Sequence, residues 1–419
     1  MSTETKKQNI FRRLLSDSAW SVAGLVLMNV VAQFAVYPVW NRQLGNEEYG
    51  RILYLIAGIN ILAVSMGVAA NYARMKASAE GKTANRTYNR ILLITSAALI
   101  PWCIGVTLLA GGGKSSPAEA ALTAVLGIAI LWRFYADVEY RLSLDYRAFF
   151  VYYLVISLGY GAGIGLFLWT RLWPLALLPG EVAGVAMVYL RGSVLRKDPA
   201  GTAPGLSPAA VRMVMTLFAT EIISNLIANG DRVLLQLLVN GTAVTIYYQA
   251  SLAGKTMALV VTPLNSVIIG YLSRYKEGLS RKIMRLLTLG SLAVLVVATL
   301  ACTLGSHVLI RLLYPQNYEL VRSYFLMASI AQVAFFVSGV AATVLLRFCP
   351  IGYQLYINIV YAVLFAALGI PGLLLRQVEG FCIGMMLAGL VKLCYVLFLG
   401  YRSLRKQEKD PKPQDVVVG

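Results

Sequence analysis

The stretch AWSVAGLVLMNVVAQFAVYPVW, residues 19–40, decides the fold class of this chain. It contains no Asp, Glu, Lys or Arg, and as an α-helix rising about 1.5 Å per residue it spans the hydrocarbon core of a bilayer, about 30 Å. A secretory signal peptide has a shorter apolar region followed by a cleavage site of small residues, and the stretch has neither. We therefore expect a retained transmembrane helix.

Comparable apolar runs recur along the whole chain. Hydrophobic residues make up 58% of the 419 positions and charged residues 13%, which is about half the charged share of an average soluble protein. The pattern predicts an all-α integral membrane protein with about twelve transmembrane helices. We place them at residues 18–40, 52–73, 90–110, 118–134, 148–170, 173–190, 212–239, 244–272, 286–310, 322–346, 351–374 and 377–400.

The distribution of Lys and Arg predicts the orientation. Most of them fall in the connections on one side, for example at 74–90 and 274–285, and the positive-inside rule makes that side cytoplasmic. Both termini are then cytoplasmic. Because the net charge of +18 is explained by these connections, we expect no nucleic-acid partner.

A Pro- and Gly-rich connection that begins at Asp198 divides the chain near its middle. It predicts two six-helix lobes, a pattern typical of transporters with a binding site between repeats. The N-terminal lobe would cover 1–195, the cytoplasmic linker 196–211 and the C-terminal lobe 212–402. The polar tail, 403–419, is predicted to be disordered.

Polar and charged side chains line one side of the seventh predicted helix. At 100° per residue they fall within an arc of about 80°; they are Glu221, Asn225, Asn229, Arg232 and Gln236. An ionisable group inside a membrane helix costs about 2.5–3.5 kcal/mol, so each one indicates a function. Two further acidic residues within predicted spans are Asp231 on the same helix and Glu181 on the sixth.

The eighth helix repeats the pattern around Lys255, with Thr262 and Ser266 on the same side and Pro263 as a bending point. Weaker polar rows occur in the first half; they contain Asn29, Gln33, Asn60, Asn71 and Arg74. Lys392, on the last helix, has a side chain long enough to snorkel to the cytoplasmic interface.

Two interpretations of these rows stay open. In one, they join helices in a dry contact, with Asp231 or Glu221 paired to Lys255 or Arg232. In the other, they line a water-filled cavity between the lobes. There Arg232 would grip phosphate or carboxylate bidentately, Lys255 would add a point charge, and the amides of Asn225, Asn229, Gln236, Asn29 and Gln33, with Arg74, would complete substrate binding. Glu221, Asp231 and Glu181 would then be candidates for ion coupling.

Several chemistries lack their signatures. The only histidine is His307, and no nucleotide-binding sequence occurs, so we expect no cofactor, no metal site and no enzymatic activity. Glu47 and Glu48, in the first outward loop, suggest a metal-dependent glycosyltransferase or, equally, a short loop that starts a helix.

Two short motifs resemble the polysaccharide-transporter, or oligosaccharide-lipid flippase, family. Residues 41–50, NRQLGNEEYG, are similar to its R-x-L-G-x-x-[DE]-[YF]-G signature. Residues 231–235, DRVLL, followed by Gly241 and by 247–250, YYQA, are similar to its D-[RK]-x-x-[IL] … G … Y-x-x-A pattern. One departure is the stretch 244–247, VTIY, where the family usually has a Gly before the Tyr.

The resemblance implies the V-shaped, two-lobed fold of the multidrug, oligosaccharidyl-lipid and polysaccharide exporter superfamily. It implies a flippase in the bacterial cytoplasmic membrane that moves oligosaccharide on a polyprenyl diphosphate from the inner to the outer leaflet for cell-envelope polysaccharide synthesis. Its partners would be that substrate, membrane lipids and the glycan polymerase or assembly proteins, with the chain itself monomeric.

Two alternatives remain. A drug or cation antiporter of the same superfamily would depend on Glu221 and Asp231 rather than on Lys255. A membrane-embedded polysaccharide polymerase or ligase would use the same lipid-linked sugars, but such enzymes generally carry a large outer loop, and every outward connection here is predicted to be short.

Overall fold

The computed structural model describes residues 19–79, 85–111, 115–196, 198, 207–258, 261, 265, 268, 279–346, 348–349 and 352–409. Within these ranges the backbone is helical almost throughout and contains no β-strand. The predicted all-α class is therefore confirmed. The chain falls into two compact units, Met1–Val244 (unit 1) and Thr245–Gly419 (unit 2).

Unit 1 is a set of packed helices. They are α1 (19–31), α2 (Tyr37–Ile59), α3 (Ser65–Ala79), α4 (Asn85–Gly111), α5 (Pro117–Ala136), α6 (Val138–Ser143), α7 (Tyr146–Thr170), α8 (Leu178–Arg191) and α9 (Pro208–Leu238). Local chemistry starts α5: the hydroxyl of Ser116 accepts the backbone N–H of Glu119, and Pro117 occupies the first turn. A 3-10 turn, Trp173–Ala176, precedes α8.

Two π-helical turns interrupt the beginning of unit 1. Ala32–Val36 joins α1 to α2, and Asn60–Val64 joins α2 to α3. Each turn inserts one extra residue into the helical register, and such insertions occur frequently at functional sites. α9 packs against α2, α3 and the second π turn, so this irregular stretch directly supports α9.

Helix α10 (Gly241–Thr256) crosses the boundary between the units. Unit 2 continues with α11 (Arg281–Leu313), α12 (Tyr318–Val321), α13 (Phe325–Leu345) and α14 (Gly352–Lys409). α13 packs against both α11 and α14. A buried apolar cluster that includes Met284, Leu345, Leu399 and Leu404 joins these three helices at one end of the unit.

Eight helical stretches in the described part of the chain are long and apolar enough to cross a membrane. Two of them, Ala19–Ser78 and Tyr356–Gln407, are each broken by non-helical backbone. The first break is at Gly45, whose φ of 82° suits glycine and disfavours residues with a side chain. The second is at Arg376 and Gln377. Each of these stretches is therefore divided into two successive segments at its break.

The described helices occupy all twelve predicted positions, and one of them is shorter than predicted. The sixth is α8, which begins only at Leu178 because Trp173–Ala176 forms the 3-10 turn. The eighth is described as α10 up to Thr256, and most of the predicted remainder, 259–272, lies outside the described residues. Thr262, Pro263 and Ser266, which we predicted on it, lie outside the described residues.

The units also differ from the predicted lobes. α9 belongs to unit 1 because it packs on α2 and α3, whereas we predicted a C-terminal lobe that begins at residue 212. The last helix continues to Lys409, so residues 403–409 are helical rather than part of a disordered tail. Ser403 and Leu404 are buried there, which stabilises this final turn. Residues 410–419 lie outside the described residues.

Candidate functional site

The polar row predicted on the seventh helix lies on α9. Asn225 donates from Nδ2 to the hydroxyl oxygen of Ser65 at 3.0 Å and to the backbone carbonyl of Glu221 at 3.1 Å. Asn229 donates to the backbone carbonyl of Asn225 at 3.0 Å. Arg232 then donates from Nη1 to the side-chain oxygen of Asn229 at 3.3 Å. Three of the predicted residues therefore form one connected row.

The row lies on the protein-facing side of α9. Asn229 and Asp231 are only 6% and 5% exposed, whereas Ile223, Leu226 and Leu237 are each about half exposed. A helix at the surface of a water-soluble protein has the opposite arrangement, with its apolar side buried. α9 thus turns Asn229 and Asp231 toward the interior of unit 1, while the other polar side chains of the row are partly exposed.

Arg232 carries the positive charge of this row. Its backbone N–H donates to Oδ1 of Asp231 at 2.8 Å, and its guanidinium interacts electrostatically with Tyr37 at the start of α2. The side chain is only partly buried. A guanidinium in such a position has donors in a planar fork that matches phosphate or carboxylate oxygens.

Gln236 and Glu221 extend the row in both directions. Gln236 follows Arg232 by one turn, and its side-chain oxygen is buried without a hydrogen-bond partner among the described residues. Glu221 precedes Asn225 by one turn and is half-buried. Because a buried amide oxygen without a partner costs about 1–3 kcal/mol, Gln236 is a position where a hydroxyl group of a ligand would be stabilising.

Ser65, the partner of Asn225, follows the second π turn directly. The extra residue in that turn rotates every later residue around the helix axis, which sets the side of α3 that meets α9. Gln33 lies inside the first π turn, Ala32–Val36. Both turns were missed at the level of the sequence, because the hydropathy pattern treats these stretches as regular helix.

Asn29 is not joined to the α9 row. Its Nδ2 donates to the backbone carbonyl of Leu25 at 2.8 Å, within its own helix. Such a bond gives the amide donor a partner within its own helix. Its predicted part in substrate binding stays a prediction.

Arg74 takes part in a polar contact of its own. Its Nη2 donates to the side-chain oxygen of Asn85 at 2.7 Å, and its guanidinium lies 5.3 Å from the centre of the Tyr88 ring. Asn85 in turn donates to the backbone carbonyls of Ser193 and Arg196. These bonds join α3, α4 and the segment after α8, so the structure gives Arg74 a scaffolding contact and its substrate role stays a prediction.

Glu181 lies in a buried ion pair. Its carboxylate accepts from Nε of Arg133 at 2.8 Å and from the hydroxyl of Tyr160. Arg133, near the end of α5, is almost completely buried. Glu181 holds its guanidinium inside unit 1. Ion coupling by Glu181 would require this pair to open.

A second buried cluster surrounds Asp137, and sequence reasoning missed it. The carboxylate accepts from Asn71, from Arg141 at 3.2 Å and from the hydroxyl of Tyr153 at 3.2 Å. Asp137 lies in the turn between α5 and α6, where a sequence pattern predicts a loop residue exposed to water. The four residues come from three separate parts of the chain, so no local sequence motif predicts the cluster.

The two lysines that fall within predicted spans of unit 2, Lys255 and Lys392, both contact aromatic rings. The ammonium of Lys255 lies 5.6 Å and 5.5 Å from the ring centres of Tyr247 and Tyr248. That of Lys392 lies 3.9 Å from the Phe335 ring and 4.6 Å from the Tyr361 ring. Lys392 is only 4% exposed, so the prediction that it snorkels to the interface is wrong: cation–π contacts hold it inside.

No protein-family model matches the sequence, and no curated protein does. Solved structures, by contrast, are similar over nearly the whole chain. A structure described as "Lipid II flippase MurJ, inward closed conformation" has a TM-score of 0.67 at 12% identity, covering 93% of this chain and 89% of that chain.

Two further similar structures are of a multidrug resistance MATE family transporter of the MOP superfamily. The inward-facing conformation has a TM-score of 0.64 at 13% identity, covering 93% of this chain and 99% of that chain. The outward-facing conformation has a TM-score of 0.62 at 14% identity, covering 95% and 96%. Together with its membrane-crossing helices, the likeness makes the chain a multi-pass membrane protein with the fold that MurJ and the MATE transporters share.

Proposed function

We propose that the chain is a flippase that carries oligosaccharide on a polyprenyl diphosphate from the inner to the outer leaflet of the bacterial cytoplasmic membrane. The observation that carries the proposal is the row on α9, in which Arg232 follows Asn225 and Asn229 on one polar side of a membrane helix. The likeness to a lipid II flippase supports it, as do the two motifs that resemble the polysaccharide transporters.

The row suits both parts of such a head group. Arg232 supplies a permanent positive charge and a bidentate donor for the diphosphate. The amides of Asn225, Asn229 and Gln236 offer donors and acceptors for sugar hydroxyls. The polyprenyl chain needs no polar site because it remains in the hydrocarbon throughout.

The movement that we propose is alternating access. The similar MATE structures are of an inward-facing and an outward-facing conformation, and we extend that pair of states to this chain as part of the proposal. The sequence has no nucleotide-binding motif, so the driving force would be an ion gradient or removal of the product. Glu221 and Asp231, on the same helix as Arg232, are our candidates for ion coupling.

A bacterial strain whose surface polysaccharide depends on this chain gives the test. We expect Arg232→Ala to deplete surface polysaccharide and to leave lipid-linked oligosaccharide in the inner leaflet, with normal amounts of protein in the membrane. Arg322→Ala is the matched control, because Arg322 is an exposed arginine paired to Glu319. Lys255→Ala tests the second predicted cation separately. Normal polysaccharide in the Arg232→Ala strain would contradict the proposal.

A multidrug antiporter is the second candidate, favoured by the MATE likeness and by the buried carboxylate of Asp231. It predicts that Asp231→Asn abolishes drug resistance while Arg232→Ala does not. The flippase proposal predicts that neither the wild type nor these two variants confer drug resistance. Resistance assays on the same strains therefore separate the two functions. Longer glycans made by the purified protein would instead indicate a polymerase.

A further inference from the structure

A groove of about 360 Å³ lies at the C-terminal end of α14 in unit 2. Its lining combines two aromatic side chains with three cations: Phe398, Tyr401, Arg402, Arg405 and Lys406. All five side chains are exposed. The groove therefore offers a charged rim and an apolar wall at the same place.

The beginning of α11 brings more positive charge to the same end of unit 2. The hydroxyls of Thr288 and Tyr401 are hydrogen-bonded at 3.3 Å, which fixes α11 beside α14 at this level. Lys282 and Arg285, one to two turns before Thr288, are exposed. α11 therefore adds cations to the same end of unit 2, while the groove itself is lined by α14.

Acidic residues are missing from these two segments. The sequence has no Asp or Glu between Glu379 and Glu408, and none between Glu277 and Glu319. On a helix surface, a carboxylate three or four residues from a cation stabilises it, and Glu408 follows Arg405 at this spacing. The groove itself is lined by three cations and, among the described residues, by no carboxylate. An external anion would therefore be stabilised in it.

The position along α14 indicates what kind of anion. The helix is almost wholly apolar from Phe381 to Gly400 and becomes basic from Arg402 onward. This change marks the level at which a membrane helix leaves the hydrocarbon, where tyrosine, arginine and lysine meet lipid headgroups. Phe398, one turn earlier in the apolar part of α14, is 58% exposed.

From these observations we infer that the groove binds an anionic phospholipid, with its phosphate at Arg402, Arg405 and Lys406 and its acyl chain along Phe398. Arginine donates to phosphate bidentately, and lysine adds a point charge. The aromatic wall distinguishes a lipid from a free anion, which would contact the cations alone. The site is separate from the row on α9 and does not depend on the proposed function.

The test is native mass spectrometry of the full-length protein in detergent with added phosphatidylglycerol or phosphatidylcholine of identical acyl chains. We expect the wild type to retain phosphatidylglycerol preferentially. The triple variant Arg402→Gln, Arg405→Gln, Lys406→Gln should lose that preference by about tenfold or more, because each cation near a lipid surface contributes on the order of 1 kcal/mol. The double variant Arg402→Lys, Arg405→Lys, which keeps all three charges, should retain most of it.

A charge-matched control removes three cations elsewhere: Lys76→Gln, Arg86→Gln, Arg90→Gln in unit 1. It should retain the preference for phosphatidylglycerol. Equal losses in the two Gln variants would reduce the effect to net charge and overturn the inference, as would a wild type without a preference. Displacement of the lipid by inorganic phosphate at constant ionic strength would also overturn it, because the acyl contact would then contribute nothing.

Discussion

The carboxylate of Glu47 caps the first turn of α10 by accepting the backbone N–H of Gly241 at 3.1 Å. The backbone N–H and the hydroxyl of Thr242 donate to the same carboxylate, each at 2.9 Å. The first N–H groups of a helix lack partners within the helix, and a negative charge there also complements the helix dipole. The two motifs that resemble the polysaccharide transporters therefore meet in unit 1.

This cap predicts a loss of stability when its charge is removed. We expect Glu47→Ala to lower the free energy of unfolding by about 1–2 kcal/mol, since three donors lose their acceptor. Thermal unfolding of the detergent-solubilised protein measures the change. Glu319→Ala, at an exposed ion pair with Arg322, should change stability by less than about 1 kcal/mol. Equal losses of stability in the two variants would show that the carboxylate of Glu47 stabilises the protein no more than one in an exposed ion pair.

The same contact depends on the absence of a side chain at Gly50. A Cβ at this position would overlap the backbone carbonyl of Gly241. We expect Gly50→Ala to destabilise the protein by about 1–3 kcal/mol through overpacking. Gly105→Ala is the control: it lies in α4 with open space around it, and alanine should be neutral or stabilising there. A Gly50→Ala protein that unfolds at the wild-type temperature would show that the two backbones do not touch.

The buried pair of Arg133 and Glu181 predicts a strongly non-additive response. Removing either partner alone leaves an uncompensated buried charge, so Arg133→Met and Glu181→Leu should each cost about 3–5 kcal/mol. The apolar double variant Arg133→Met, Glu181→Leu should lose less than either single variant, because both charges are gone. A double-mutant cycle on unfolding temperatures measures the coupling. Additive losses of stability would mean that Arg133 and Glu181 do not form an ion pair in the membrane-embedded protein.

The surroundings of Lys392 predict that two substitutions of this residue differ in their effect on stability. Its ammonium is desolvated between the rings of Phe335 and Tyr361, so Lys392→Met, which keeps the length and removes the charge, should unfold within about 1–2 kcal/mol of the wild type. Lys392→Glu should unfold far more easily, since a carboxylate would face the negative sides of two rings. Comparable stability of the two variants would contradict the cation–π description.

Much of the helical order was predictable because an uncharged hydrophobic run of membrane length favours a transmembrane helix over every soluble structure. The position of Gly45 was predictable as a turn, since a glycine there follows an apolar span. The row of Asn225, Asn229 and Arg232 was predictable from the period of the helix alone. These are properties of single segments, which local sequence encodes.

Contacts between distant segments were not predictable in the same way. Arg133 has the sequence position of an interfacial cation, and only the packing of α8 brings Glu181 beside it. Asp137 has that of a turn residue, although α3 and α7 surround it. The π turns were not predicted because one inserted residue leaves the hydropathy pattern nearly unchanged. The buried position of Lys392 was not predictable for a related reason. Phe335 and Tyr361, whose rings contact its ammonium, are distant from it in the sequence.

In our proposal, the guanidinium of Arg232 binds the diphosphate during lipid transfer. A flipping assay in proteoliposomes tests this contact, with a fluorescent oligosaccharide on a polyprenyl diphosphate and an impermeant quencher. We expect rapid transfer by the wild type, loss of transfer in Arg232→Ala, and partial retention in Arg232→Lys, which keeps the charge but loses the bidentate fork. Transfer by Arg232→Ala at the wild-type rate, in protein that is folded and correctly inserted, would contradict the claim.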